Sequence, residues 1–344
     1  MKARGWPGIL FLFVLLAGAP VGAQESAADL FKKAYELAGE EKYEEAIRVY
    51  TKVMELSPQS PEVRFNRGVV FGRLGKHEDA IKDFTEALSL KPDYFEACTN
   101  RANAYEMLGR LKEALADYTK AVELEPNRAE AYLNRGTTLA SAGDYGKAIV
   151  DYDRAIVLNA RYALAYLERG NAYANLGEHR KAIQDYDDAV RLEPQNADAY
   201  YNRGIAYAGL GRHEEAVRDY GKAISLNRQL VDAFFNRGIA YQALGNRERA
   251  AEDLNEAIRL NPDNYRAYVA RAEVYEASAR YEEAIRDYDR FISMQPQDAD
   301  AYGKRGNALW NTGKRMDALK DLRKAARMGS EPARKFLNSQ GMSW

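Results

Sequence analysis

The chain repeats itself every 34 residues, and this period constrains its fold more than any other feature. The stretch from 197 to 230 reads ADAYYNRGIAYAGLGRHEEAVRDYGKAISLNRQL, and near-copies lie on both sides of it. Counted from Ala27, nine such units reach Pro332 without an inserted or deleted residue. Because one small unit cannot bury an apolar face alone, the period predicts an array of stacked units. The units are 27–60, 61–94, 95–128, 129–162, 163–196, 197–230, 231–264, 265–298 and 299–332.

Each unit predicts two helices joined by a tight turn; we number its 34 positions as places 1 to 34. In the unit 197–230, Ala216, Tyr220 and Ala223 follow the i, i+4, i+7 spacing of a buried helix face. Gly211 at place 15 ends the first helix, since glycine readily adopts the left-handed conformation. Gly204 at place 8 is small where the two helices must cross, and Tyr220 at place 24 fills the space beside it.

A fixed set of places carries a family pattern. The set comprises a small residue at place 8, an aromatic at place 11, Ala at place 20, Tyr or Phe at place 24 and Ala at place 27, with Pro at place 32 of several units. In the unit 197–230 the first five are Gly204, Tyr207, Ala216, Tyr220 and Ala223. The pattern resembles the tetratricopeptide repeat (TPR) family, in a variant with Asn-Arg-Gly at places 6 to 8. The resemblance implies an all-α, right-handed superhelical solenoid of nine helix-turn-helix repeats over residues 24–332. Residues 330–344 predict a C-terminal capping helix and tail.

Arginine and aspartate occur together at two further places. Arg holds place 7 and Asp holds place 23 in eight units, whereas the first unit lacks both. Their joint presence predicts an ion pair between the two helices of each repeat. The alternative is a basic stripe that binds an anionic ligand, although the aspartates would neutralise it. The pairs are Arg67–Asp83, Arg101–Asp117, Arg135–Asp151, Arg169–Asp185, Arg203–Asp219, Arg237–Asp253, Arg271–Asp287 and Arg305–Asp321.

The TPR resemblance implies that the first helix of each repeat lines a concave groove. Place 6 carries Asn in five repeats, as in the asparagine ladder that holds extended peptide backbone in O-linked N-acetylglucosamine transferase. Places 5 and 9 add aromatic and aliphatic anchor candidates. Alternatively, these asparagines only keep the groove wet or form hydrogen bonds along their own helices. The candidate peptide-binding residues are Phe65, Asn66, Asn100, Asn134, Tyr201, Asn202, Ile205, Phe235, Asn236 and Ile239.

Composition argues against several function classes. The 50 Lys and Arg residues balance 51 Asp and Glu, which gives no support for nucleic acid as a partner or for an anionic membrane as the main partner. Residues 299 to 344 depart from this balance with ten basic and four acidic side chains, a feature of either a solvated helix face or a surface that attracts acidic partners. The single cysteine, Cys98, excludes a disulfide framework. Three histidines share one place in separate repeats, and the sequence predicts neither a metal site nor a cofactor.

The N-terminal sequence has the pattern of a secretory signal peptide. Lys2 and Arg4 precede the apolar run Ile9 to Leu16, and Val21-Gly22-Ala23 provides a cleavage site. The run is shorter than the ~20 residues that a transmembrane helix needs. The sequence therefore predicts a signal peptide over residues 1–23 and an exported protein, periplasmic or secreted, without stable membrane insertion. Membrane anchoring by an uncleaved signal is the alternative.

The sequence offers no pattern typical of catalysis. It lacks a nucleophile motif and a phosphate-binding glycine loop, and its candidate acids recur with the period of the repeat, as structural residues do. We therefore expect a non-enzymatic interaction scaffold that binds an extended segment of a partner protein in the groove. A glycan-handling module of a polysaccharide assembly or export complex is the alternative, and self-association remains open.

Overall fold

The computed structural model describes residues 25–344, so the predicted signal peptide lies outside the described residues. Within this range the secondary structure is α-helical, with no strand. The helices are α1 Ala27–Gly39, α2 Tyr43–Leu56, α3 Pro61–Arg73, α4 His77–Leu90, α5 Phe95–Met107, α6 Leu111–Leu124, α7 Ala129–Ser141, α8 Tyr145–Leu158, α9 Ala163–Asn175, α10 His179–Leu192, α11 Ala197–Gly209, α12 His213–Leu226, α13 Val231–Ala243, α14 Arg247–Leu260, α15 Tyr265–Ala277, α16 Tyr281–Met294, α17 Ala299–Asn311, α18 Arg315–Arg327 and α19 Glu331–Ser339.

The predicted all-α class is confirmed, with two helices in each 34-residue range and a further helix, α19, after the ninth. The chain divides into two compact units. Unit 1 is Met1–Leu176, described from residue 25, and contains α1 to α9; unit 2 is Gly177–Trp344 and contains α10 to α19. Within each unit, consecutive helices pack against one another along the chain. The nine repeat boundaries remain a prediction, and α9 and α10 of the fifth repeat belong to different units.

The turn between the two helices of a repeat requires a left-handed residue at place 15. Gly211 has φ +73°, and glycine fills the same place in most repeats. Glu41 and Ala279 hold this place in the first and eighth repeats with φ of 61° and 56°. A residue with a Cβ atom is strained there by about 1–2 kcal/mol. The turn geometry therefore follows from packing of the helix pair and does not depend on glycine alone.

Close approach of the paired helices depends on the small residue at place 8. A Cβ atom added at Gly204 would lie 2.7 Å from Cε1 of Tyr220. The ring of Tyr220 is buried, and so are the equivalent tyrosines at place 24 of other repeats. The hydroxyl of Tyr288 donates a hydrogen bond to Glu276 of the same repeat at 2.6 Å. The glycine and the aromatic ring thus set the distance between the two helices.

The structure brings the place 7 arginines and place 23 aspartates together within the repeats. Arg203 donates from Nε and Nη2 to the two carboxylate oxygens of Asp219, both at 2.7 Å. Arg237 and Asp253 show the same bidentate geometry, and the hydrogen bond to Asp253 raises the pKa of the guanidinium. Within the described units this geometry recurs in seven repeats: Arg67–Asp83, Arg101–Asp117, Arg135–Asp151, Arg203–Asp219, Arg237–Asp253, Arg271–Asp287 and Arg305–Asp321.

The same arginines also contact the preceding repeat, which the pattern at places 7 and 23 does not predict. Nη1 of Arg203 donates to Asp187 at place 25 of the preceding repeat, at 2.6 Å. Arg305 contacts Asp289 at the same distance, and Arg67 contacts Thr51 at 2.9 Å. One guanidinium thus joins three helices, which links neighbouring repeats as well as the two helices of one repeat.

The last helix covers the apolar face of the ninth repeat. Ala333 and Leu337 of α19 are buried against Leu322 of α18 in one apolar cluster, and Lys335 is exposed. Ser330 occupies the N-cap position of α19, but its side chain accepts no capping hydrogen bond. Its hydroxyl lies 3.3 Å from the carboxylate of Asp300 and donates there instead. The start of α19 is held by packing and by this contact to α17.

Candidate functional site

The candidate site is the surface formed by places 5, 6 and 9 of the first helix of each repeat, which we call the A-helix surface. In unit 2 its predicted residues are Tyr201, Asn202 and Ile205 on α11 and Phe235, Asn236 and Ile239 on α13. In unit 1 they are Phe65 and Asn66 on α3, Asn100 on α5 and Asn134 on α7. Burial separates these ten residues into two groups.

In unit 2, two isoleucines at the same place of neighbouring repeats are open to solvent. Ile205 is 40% exposed and Ile239 is 38% exposed, although both belong to otherwise well-packed helices. The asparagines at place 6, Asn202 and Asn236, are half-buried beside them. Two exposed branched side chains with adjacent amides give this surface both an apolar contact and hydrogen-bonding groups.

A hydrogen bond links the two helices of this surface. Asn236 donates from Nδ2 to the hydroxyl of Tyr201 at 2.9 Å. The ring of Tyr201 packs against that of Tyr220, with centroids 5.9 Å apart, and burial raises the pKa of Tyr201 to about 12. The hydroxyl is therefore protonated at neutral pH. These contacts fix Asn236 and Tyr201 in position, so the surface is organised before any partner arrives.

The expectation that Phe65 and Phe235 are exposed anchors is wrong. Both rings are buried, because place 5 faces the first helix of the following repeat. The ring of Phe65 packs against Tyr94 with centroids 5.0 Å apart. Phe235 shares an apolar cluster with Ala267 of α15, and the guanidinium of Arg266 lies 5.0 Å from its ring centroid. Both phenylalanines therefore belong to the core between repeats.

Asn66 and Asn100 also differ from the predicted ladder. Each is only 2% exposed, and each donates from Nδ2 to a backbone carbonyl of its own helix, Glu62 at 2.8 Å and Glu96 at 2.7 Å. Their Oδ1 atoms are buried without a hydrogen-bond donor. For these two residues the structure matches the alternative of hydrogen bonding along the helix. Asn134 is half-buried, like the asparagines of unit 2.

Family models of one type match consecutive stretches of the chain. A model described as TPR repeat matches residues 34–75, 136–177 and 170–211, and models described as Tetratricopeptide repeat match 61–94, 95–128, 117–150, 197–230, 235–299 and 271–331. The matches together extend over well more than half of the chain. The protein belongs to the tetratricopeptide repeat family. A TPR array is an interaction scaffold, since its stacked repeats present an extended surface to other proteins.

Two solved TPR structures with TM-scores above 0.5 share the fold. The C-terminal part of a TPR protein from Cytophaga hutchinsonii has a TM-score of 0.58 at 22% identity, covering 70% of this chain and 98% of its own. A TPR protein from Parabacteroides merdae has a TM-score of 0.56 at 22% identity, covering 72% of this chain and 98% of its own. YrrB, described as a TPR protein with an unusual peptide-binding site, has a TM-score of 0.47 at 28% identity, over 54% of this chain and 95% of its own. No curated protein matches the sequence.

Sequence reasoning missed a set of polar side chains at place 12 of the TPR array. In unit 2, Glu276 accepts from Tyr288, and burial raises the pKa of the Glu276 carboxyl. Lys304 of the next repeat pairs with Glu273, one helical turn before Glu276. In unit 1, Glu106 accepts a hydrogen bond from Thr138 at 2.5 Å. The signal that could have found these residues is Glu at place 12 opposite Tyr at place 24.

The remaining reactive side chains are consistent with packing roles. Cys98 is buried, and burial raises the pKa of its thiol to about 11, so thiolate is scarce at neutral pH. The Nδ1 atoms of His179 and His213 are buried in separate repeats without a hydrogen-bond partner. Over residues 25–344, no three His, Cys, Asp or Glu side chains are grouped as metal ligands. None of the helices in that range combines the length and apolar character needed to cross a bilayer.

Proposed function

We propose that this TPR protein binds an extended segment of another polypeptide on the A-helix surface of unit 2. The observation that carries the proposal is the pair of exposed isoleucines, Ile205 and Ile239, at one place of adjacent repeats. Exposed apolar side chains at one place of adjacent repeats, with polar groups beside them, have the composition of a partner contact. Asn202 and Asn236 are those polar groups.

The spacing of the repeats suits an extended chain. First helices of adjacent repeats that contact each other lie about 10 Å apart, the upper range for packed helices. A segment in the extended polyproline II conformation advances ~3.1 Å per residue with three residues per turn, so side chains three residues apart face the same side and lie ~9 Å apart. Two apolar side chains three residues apart would therefore contact Ile205 and Ile239 in turn.

The fixed amide of Asn236 supports recognition of the backbone. Its Nδ2 atom is held by Tyr201, and within the described residues its carbonyl oxygen has no protein donor. That oxygen can accept a hydrogen bond from a peptide N–H of a bound segment. Because the Tyr201 ring packs against Tyr220 and is half-buried, it offers little open face for stacking on a sugar, which favours polypeptide over glycan.

A peptide library tests this proposal directly. Random peptides are selected on the purified protein, and the affinities of selected peptides are measured by fluorescence anisotropy. We expect Ile205→Asp/Ile239→Asp to weaken binding at least tenfold, because two apolar contacts are replaced by desolvated charges. The matched control is Val150→Asp/Val157→Asp, which changes two exposed valines of α8 in unit 1 and should leave affinity unchanged.

Two results would reject the site. One is equal affinity of the isoleucine variant and the unmodified protein for the selected peptides. The other is equal loss in the valine control, which would show a general effect of added charge. Selection of oligosaccharides but no peptides from matched libraries would instead support the glycan alternative.

The proposed setting is outside the cytoplasm, in the periplasm or as a secreted protein. This part rests on the charged start, apolar run and small-residue cleavage site of residues 1–23. Export of a fusion of these residues to a periplasmic reporter, followed by N-terminal sequencing, tests both export and cleavage after Ala23. Retention in the membrane at full length would favour the anchored alternative.

A further inference from the structure

The second helix of the ninth repeat, α18, carries a stripe of cations unlike any other helix in unit 2. At ~100° per residue, Met316, Lys320, Arg323, Lys324 and Arg327 fall within one sector of ~100° on this helix. All five side chains are exposed. We call these five residues the α18 stripe. Asp317 lies at its margin, and Asp321 is buried and paired with Arg305.

The equivalent surfaces of the other second helices in unit 2 mix both signs. On α14 the same places carry Glu248, Glu252, Asn255, Glu256 and Arg259. On α16 they carry Glu282, Arg286, Asp289, Arg290 and Ser293. On α12 they carry Glu214, Arg218, Gly221, Lys222 and Ser225. Only the α18 stripe has four cations and no anion, so its charge is not a property of the repeat.

The cations of the α18 stripe are not neutralised by the described chain. Arg323 donates to the backbone oxygen of Ser343 at 3.3 Å, and Lys324 donates to the hydroxyl of Tyr302 at 2.7 Å. Neither acceptor is a carboxylate. For Lys320 and Arg327, residues 25–344 provide no carboxylate within ion-pair distance. By contrast, Arg212 and Arg280 in earlier repeats pair with a glutamate three residues on.

Two apolar side chains accompany the stripe. Met316 is 82% exposed, so an apolar side chain of the stripe lies almost wholly in water. Trp344 is about half exposed, with the guanidinium of Arg334 lying 4.4 Å from its ring centroid, and the contact of Arg323 with Ser343 places this tail beside α18. Lys and Arg side chains together with Met and Trp are the composition of helices that lie at a lipid interface.

We propose that the α18 stripe docks on a surface of anionic lipid headgroups. A lipid surface is flat and requires only coplanar cations with one or two apolar side chains at headgroup depth. The stripe lies on the exposed side of a single helix. It therefore forms no groove that could hold the backbone of an acidic polypeptide. This docking is peripheral and is compatible with the expectation of no stable membrane insertion. It goes beyond the proposed peptide binding and would place the scaffold at a membrane.

Vesicle sedimentation tests the proposal. The protein from residue 24 onward keeps every described residue and removes the apolar run Ile9 to Leu16, which could itself bind lipid. We expect it to sediment with vesicles of phosphatidylcholine containing about one-third phosphatidylglycerol, and not with phosphatidylcholine alone. Because binding is electrostatic, raising the salt from about 0.05 M to about 0.5 M should release it.

Paired charge reversals locate the surface. Lys320→Glu/Arg327→Glu should weaken vesicle binding at least tenfold, and it breaks no hydrogen bond or ion pair of the described chain. Arg218→Glu/Lys222→Glu on α12 changes the net charge equally and should bind as the unmodified protein does. Met316→Ala should weaken binding by a smaller factor.

Three outcomes would overturn the proposal. The first is no binding to anionic vesicles at low salt. The second is an equal loss of binding in the α12 variant. The third is binding of poly-L-glutamate without binding of vesicles, which would assign the α18 stripe to an acidic polypeptide.

Discussion

The A-helix surfaces of the two units are built on the same repeat but differ in what they expose. In unit 1, Val69 at place 9 of α3 is buried in one cluster with Phe65 and Tyr94. In unit 2, Ile205 at the same place of α11 is 40% exposed. The residue at place 34 differs between them, since the aromatic Tyr94 packs against place 5 in unit 1, whereas the aliphatic Leu230 holds that place before α13. The same type of side chain at one place thus belongs to the core in one unit and to the open surface in the other.

Truncating place 5 in unit 1 and place 9 in unit 2 to alanine should give the largest difference in stability loss between the two units. Phe65→Ala should destabilise the protein by about 3–5 kcal/mol, because it leaves a cavity between Phe84 and Tyr94. Ile205→Ala should cost much less, about 1 kcal/mol, because 40% of the residue is already exposed to water. Equilibrium urea unfolding followed by circular dichroism compares the two. Equal losses would show that Ile205 is part of the core and would remove the basis of the proposed peptide site.

Removing an Arg–Asp pair should cost about the same stability in both units, since both contain these pairs with the same geometry. Asp83→Ala in unit 1 and Asp219→Ala in unit 2 should each cost about 3 kcal/mol, because the largely buried guanidiniums of Arg67 and Arg203 lose their bidentate partners. Urea unfolding of both variants provides the measurement. The double variant Arg203→Leu/Asp219→Leu should recover most of the loss, since no unpaired charge remains. If neither single variant loses stability, the pairs do not hold the repeats together.

Replacing the asparagine at place 6 should affect stability in unit 1 and peptide binding in unit 2. Asn66→Leu should stabilise the protein by about 1 kcal/mol, because it removes a buried Oδ1 atom that has no donor while the carbonyl of Glu62 keeps its helical hydrogen bond. Asn202→Leu should weaken peptide binding, because it removes an amide of the proposed peptide site. The comparison uses urea unfolding for both variants and anisotropy for the second. A loss of stability in Asn66→Leu would mean that its oxygen is satisfied by a buried water.

The architecture could be predicted because it depends on residues that recur with the period. Gly204 and Tyr220 fit each other within one repeat, and Arg203 and Asp219 do the same. A sequence that keeps such pairs in register over eight consecutive units leaves little freedom in the fold. Helix α19 was predictable for the same reason, since the ninth repeat needs an apolar cover.

Exposure on the A-helix surface could not be predicted, because it depends on residues that break the period. Whether place 5 or place 9 is buried follows from the size of a neighbour such as Tyr94, and that neighbour belongs to the junction with the next repeat. The network of Glu276 and Tyr288 was missed because Glu at place 12 occurs in only some repeats. The α18 stripe was visible as local charge, but its alignment and lack of carboxylate partners required the structure.

The contact between repeats at place 25 provides the finest test. Arg203 reaches Asp187 at this place, but Arg237 faces Gly221, where an added Cβ atom would lie 3.3 Å from Nη1 of the guanidinium. Gly221→Asp should stabilise the protein by about 0.5–1 kcal/mol, from a lower entropy cost in the helix and from a new contact to Arg237.

Gly221→Ala is the control, because it changes only the helix propensity. Alanine is the better helix former, so an aspartate variant at least as stable as the alanine variant requires the ion pair. The stability gain of Gly221→Asp, measured by urea unfolding, should be smaller at about 0.5 M salt than at about 0.05 M salt. The gain of Gly221→Ala should be the same at both salt concentrations. If Gly221→Asp is less stable than Gly221→Ala by the full difference in helix propensity between the two residues, Arg237 needs no partner in the preceding repeat.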